Sequence, residues 1–169
     1  MKKIAGWVYQ RPPFFIGLIL LAIITWAVAF GPGDQIIRIV TVTASRTNTG
    51  DAKFLTELVQ VNFWEATGPF PVSIIVELEN TAPVSGFWLK SDVHMPEAGE
   101  RMPSEMKVSL SLDGTNWREI DSRADLKLWQ PSEVRDYSFK KTEEARFVRF
   151  DVLATPAGNV VRIGRLGIR

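Results

Sequence analysis

From Phe14 to Phe30 the chain reads FFIGLILLAIITWAVAF, 17 residues without a charged side chain. Beyond Gly31-Pro32-Gly33 the pattern changes to two-residue alternation rich in β-branched residues. It recurs over residues 37–42, 73–78, 106–112, 147–153 and 160–163, each of which predicts a strand. Turn signals separate them at Asn48-Thr49-Gly50-Asp51, Thr67-Gly68-Pro69, Glu79-Asn80-Thr81, Asp113-Gly114-Thr115-Asn116 and Thr155-Pro156-Ala157-Gly158-Asn159. Residues 53–59 carry a weak signal for one helical turn, and no internal repeat is visible. Short strands with frequent turns predict an antiparallel β-sandwich, and the 135 residues of 35–169 suffice for one such core.

As a helix, the apolar run is about 26 Å long, slightly short of a ~30 Å hydrocarbon core. Eleven of its residues are Leu, Ile, Val or Phe, Leu20 among them, which favours insertion by about 3–7 kcal/mol. Trp7 and Tyr9 on one side and Trp26 near the other suit the two interfaces. Arg11-Pro12-Pro13 marks where the helix begins, and Gly31-Pro32-Gly33 stops it. Residues 1–33 therefore read as a transmembrane anchor with a cytoplasmic tail over 1–12, and residues 34–169 as one domain. Ala27-Val28-Ala29 is also a signal-peptidase tripeptide, so a leader cleaved after Ala29 is a competing reading, with a buried soluble helix a third. Both membrane readings put the bases on the N-terminal side, which places 34–169 outside the cytoplasm, in the periplasm of a bacterial inner membrane.

Charge changes little. Residues 1–30 hold Lys2, Lys3 and Arg11 with no acid, which leaves the rest of the chain at a net −2. Such a domain has no basic field to gather nucleic acid. There is no Cys, so disulfides, thiolate metal sites and cysteine nucleophiles are excluded, and His94 is the only His. No nucleophile elbow, Walker loop, zincin helix or dinucleotide glycine pattern occurs. The expectation is a protein that is not an enzyme and carries no cofactor.

Three segments carry a family resemblance. Pro71-Val72-Ser73-Ile74-Ile75-Val76-Glu77-Leu78 is followed by Val84-Ser85-Gly86-Phe87-Trp88-Leu89-Lys90. A hairpin pattern, Lys107-Val108-Ser109-Leu110-Ser111-Leu112-Asp113-Gly114-Thr115-Asn116-Trp117, comes next. Ala145-Arg146-Phe147-Val148-Arg149-Phe150 completes the series. In order and spacing these resemble the discoidin, or coagulation-factor type-C, domain, a galactose-binding-like jelly roll, over about residues 38–169. Read physically, Asp113-Gly114 supplies a tight turn and Trp117 is expected to fold back into the core. Arg146 and Arg149 should face opposite sides of a strand, one paired with a carboxylate and the other in solvent.

The resemblance implies ligand loops at one end of the barrel, here residues 46–52, 62–67 and 92–103, with 122–131 nearby. Candidate ligand- or partner-binding residues are Arg46, Asn62, Phe63, Trp64, His94, Met95 and Trp129, the aromatic ones equally suited to a core. Leu126-Lys127-Leu128-Trp129 reads as an apolar spike or as a strand. Two departures count against a calcium site of the familiar kind. Leu55-Thr56-Glu57-Leu58-Val59-Gln60 replaces the usual Asp-Gly-Asn stretch, and Arg165 stands where a Glu is often found; an arginine repels a cation that needs several oxygen ligands.

Two functions are expected. One is a non-catalytic single-span subunit whose β-sandwich docks on and stabilises a larger membrane complex, respiratory, photosynthetic or envelope-building, because the tether is only a few residues long. The other is a membrane-anchored module that binds carbohydrate or an envelope polymer.

Overall fold

Alternation builds the layers. In strand β3 (Val72–Lys90), Val72, Ile74, Val76 and Leu78 are exposed by 1% or less, while Ser73, Ile75 and Glu77 between them are half-buried. The computed structural model describes residues 37–57, 62–93, 98–124 and 126–169. The other strands are β1 (Ile39–Ala44), β2 (Trp64–Thr67), β4 (Glu105–Ser111), β5 (Arg118–Arg123), β6 (Val134–Ala154), β7 (Val160–Ile163) and β8 (Arg165–Ile168). A 3-10 turn spans Ala52–Leu55, capped by the Asp51 side chain, and one helical turn, α1, spans Ala98–Arg101.

The two long strands each serve both layers of an antiparallel sandwich. The first half of β3 lies between β1 and the second half of β6, so that Ile75 faces Thr43 on one side and Arg149 on the other. β4 and then β5 extend this layer beyond β6. The second half of β3 lies between β8 and the first half of β6. The crossing is made where the β3–β6 pairing slips, between Glu77 and Ala82 and between Val84 and Gly86. β2 and β7 form a separate antiparallel pair. The layers meet in the core: the Phe87 ring stacks on Tyr137 at 4.8 Å and meets Phe150 edge-on at 5.0 Å.

This register gives the sandwich two distinct ends. The chain arrives at one of them, where the Glu79 amide donates to the Arg38 carbonyl and Ile39 pairs with Leu78. The 79–82 corner and the turn between β4 and β5 share this hairpin end, since Ser111 pairs with Phe147 and Phe147 with Glu77. The opposite, loop end collects the segments after β1, before β3, around α1 and between β6 and β7. There Arg46 donates to the Pro69 carbonyl, Gly68 to Asn159, and Ala157 to Glu100.

All five strand predictions fall on observed strands, and three details differ. Glu79-Asn80-Thr81 does not end a strand: the chain stays extended through this exposed corner because it is passing between layers. Trp117 is half-exposed rather than a core plug, with the Arg149 guanidinium 4.7 Å from its ring. Arg146 pairs with Glu77 and Arg149 with Asp151, each at 3.0 Å, so both arginines are neutralised and neither stands alone in solvent. The apolar run, with Trp7, Tyr9, Phe14, Leu20, Trp26 and Phe30, lies outside the described residues. Among the described residues no helix is long and apolar enough to cross a membrane.

The β4–β5 turn is closed by one carboxylate. Asp113 accepts from the Thr115 and Asn116 amides, each at 2.8 Å, and from the Asn116 side chain at 2.7 Å, while Gly114 takes φ +75°. The Asn116 and Thr115 amides hold the Asp113 carboxyl well below the usual carboxylate range. A carboxyl lowered in the folded state adds stability that is full above its unfolded value and fades as pH falls toward the folded one. The denaturation midpoints of wild type and Asp113→Ala should therefore differ by a constant amount from pH 8 to 5, and converge below about pH 4. A difference that persists undiminished to pH 3 would contradict this role.

Candidate functional site

The loop end is assembled around one carboxylate. Glu65 sits in β2, whose alternation buries Trp64 and Ala66 and turns Glu65 toward the neighbouring segments. Its backbone ties down the loop after β1: Asn48 and Thr49 donate to the Glu65 carbonyl at 2.9 and 3.2 Å, and the Glu65 amide donates to Thr49 at 2.9 Å. The Thr67 amide closes the same loop onto the Asn48 side chain at 2.6 Å. Gly50 fits because it takes φ +76° and because a Cβ there would run into the Phe63 carbonyl oxygen.

Its side chain gathers cations. Arg162 of β7, 8% exposed, donates to Glu65 Oε2 at 2.7 Å and to Asp92 Oδ2 at 3.4 Å. Arg101 of α1 reaches the same Glu65 oxygen at 3.0 Å. The Arg162 guanidinium also lies 4.1 Å from the centre of the Phe63 ring. Two arginines and two carboxylates, from four chain segments, thus cluster with a half-buried aromatic beside them. Charges taken this far out of water persist only because each has partners.

α1 is held from below. Gly99 allows the helical turn to approach the Trp129 backbone, where a Cβ would collide with the Trp129 carbonyl. The Trp129 side chain is 3% exposed and lies under the Arg135 guanidinium, 4.2 Å from its ring. Arg135 donates to the Lys127 and Leu128 carbonyls at 2.7 and 2.8 Å and pairs with Glu133, whose carboxyl its hydrogen bond lowers.

Of the four loop segments expected to carry the site, residues 46–52, 62–67 and the described part of 92–103 meet at Glu65, and 122–131 lies against 92–103 through the Trp129 backbone beneath Gly99. Arg46 is exposed, and Asn62 and Phe63 are half-buried. Trp64 is a core residue at 0% exposure whose Nε1 donates to Thr47 Oγ1 at 3.0 Å, and Trp129 is likewise buried, so neither presents an aromatic face to solvent. His94 and Met95 lie outside the described residues. Glu65 and Asp92 fall within the expected loop segments without being named as binding residues, and Arg101 and Arg162 are not among the candidates. A signal existed for Arg162, a charge inside the β-branched run Val160-Val161-Arg162-Ile163, which demands a buried carboxylate partner. Among the described residues no three His, Cys, Asp or Glu side chains are gathered as metal ligands, and Arg165 lies beside Trp88.

Removing Arg162 takes one partner from Glu65 and one from Asp92. Arg162→Met should lower unfolding free energy by about 3 kcal/mol, and pairing it with Glu65→Gln should recover part of that loss. Chemical denaturation measures both; a single-variant loss under about 1 kcal/mol would show that the cluster is not a structural hub.

The model of the family described as the F5/8 type C domain matches residues 40–164. No curated protein matches the chain. CpGH89CBM32-5 from Clostridium perfringens, in complex with GalNAc-β-1,3-galactose, superposes with a TM-score of 0.64 at 20% identity, covering 76% of this chain and 93% of its own. The CBM32 of AlyQ, in complex with 4,5-unsaturated mannuronic acid, gives 0.68 at 20% identity over 80% and 98%. The family 32 CBM from C. perfringens NanJ, in complex with galactose, gives 0.63 at 13% identity over 76% and 91%. At these identities the likeness is one of fold. The match over residues 40–164 goes further: the chain belongs to the F5/8 type C domain family.

Proposed function

We propose that the protein is a non-catalytic glycan-binding module, held on the outer side of a bacterial inner membrane by residues 14–30. The observation that carries the reading is the gathering of Glu65, Arg101 and Arg162 beside Phe63 at the loop end. Sugar hydroxyls need an acceptor and a donor side by side, which the Glu65 carboxylate and the Arg101 guanidinium supply. The half-buried Phe63 supplies an apolar flank, and exposed Arg46 and Asn48 form the rim. The sugars named for three fold relatives support the same ligand class.

One observation favours a second reading, an accessory subunit of a membrane complex. Only residues 31–36 separate the apolar run from Ile37, so an anchored domain would stay close to the bilayer. A glycan array probed with the full chain in mild detergent separates the two. Binding to at least one envelope oligosaccharide is expected, weakened tenfold or more by Arg101→Gln. Stable co-purification with membrane subunits and no binding to any glycan would overturn the glycan reading in favour of the subunit.

A further inference from the structure

A second surface lies on the outside of the layer formed by β8, the second half of β3 and the first half of β6. Phe87, Leu89, Tyr137, Leu166 and Ile168 of these strands are buried toward the core, so the intervening residues point away from it. In the middle is Trp88, paired with Gly167 on one side and Asp136 on the other. A Cβ at position 167 would collide with the Cε2, Nε1 and Cζ2 atoms of the indole, so the ring rests directly on the glycine backbone. Any side chain there would lift it off the strand. With one side of the ring taken by Gly167 and the residue half-buried, the accessible part of the indole faces outward.

Among the described residues, the two cations nearest this ring lack carboxylate partners. Nine arginines among the described residues pair with a carboxylate. Arg165, 5.7 Å from the Trp88 ring, forms no ion pair among the described residues, and its buried Nε has no hydrogen-bond partner. Its strand neighbour Lys90 has no ion pair among them either. The carboxylate on this face, Asp136, is occupied by Arg169 at 3.1 Å. Stacking on an indole stabilises a guanidinium but does not neutralise it. A flat aromatic ring with two uncompensated cations beside it remains.

We propose that Trp88, Arg165 and Lys90 form a second binding surface, distinct from the loop end, for an acidic polysaccharide. A pyranose against the part of the indole that Gly167 and Arg165 leave free brings a carboxylate on its ring to the guanidinium and ammonium beside it. A lipid surface fits less well: Val134 is the exposed apolar side chain of this face, which gives nothing to insert. Two cations also fall short of the four to eight that anionic-headgroup recognition uses.

Calorimetric titration of the full chain in mild detergent with tetragalacturonate, and with neutral galactotetraose, tests this. Tetragalacturonate should bind, and Arg165→Gln and Lys90→Gln should each weaken it at least tenfold. Its affinity should fall between 50 and 200 mM salt, and Arg101→Gln should leave it unchanged. Trp88→Phe, which keeps a smaller ring, should weaken it less than Arg165→Gln does. Equal affinity for the neutral chain, no binding at millimolar tetragalacturonate, or loss in Arg101→Gln with wild-type binding in Arg165→Gln would each overturn the proposal. The last result would move the acidic chain to the loop end. Because Arg165 takes no part in the loop end, array binding by Arg165→Gln reports on the first site alone, so the two sites can fail separately.

Discussion

The loop end depends on a buried ion pair. Arg162 rises from β7 into a region where only 8% of it meets solvent, and a guanidinium there is tolerable only with carboxylates at hand. Glu65 and Asp92 provide them, from β2 and from the segment after β3. Once that pair is set, much else follows. Glu65 is fixed for Arg101, its backbone holds the loop after β1, and α1 is drawn over the same point while Trp129 supports it from beneath. A pair of this kind adds little net stability compared with well-packed apolar residues. What it supplies is position: β2, β7, α1 and the segment after β3 share one reference point, which keeps the polar groups of the loop end in place.

The sandwich makes that arrangement possible by keeping its two ends different. Both long strands cross between layers at the hairpin end, where their pairing slips, and return with regular pairing to the loop end. The slips in the β3–β6 pairing and the arriving chain thus share one end. The outer face bearing Trp88 owes its character to a glycine, since only residue 167 without a side chain lets a large ring lie on the strand.

The layers were legible in the sequence because a half-buried strand must alternate, and 73–78 and 147–153 alternate plainly. The passage of β3 through Glu79-Asn80-Thr81 was not, because polar corner residues look alike whether the chain stops or merely changes layer. At the loop end, the segments could be named by resemblance but the decisive side chains could not. Trp64 drew attention as an aromatic and proved to be core, for an indole plugs a cavity as readily as it faces a sugar. Glu65, next to it, has nothing in its local pattern to set it apart from other acids on a strand. Its importance comes from Arg162, 97 residues later, and such a pairing has no local periodicity to betray it.

The central claim, that the loop end is a pre-formed binding surface, is most directly tested by mapping backbone amide shifts as a neutral oligosaccharide is titrated into the isotopically labelled full chain. The account predicts that amides of residues 46–51, 63–65 and 99–101 move together in fast exchange, while those of 112–117 at the hairpin end stay still. Shifts concentrated at 79–82 and 112–117, with the loop end silent, would contradict it.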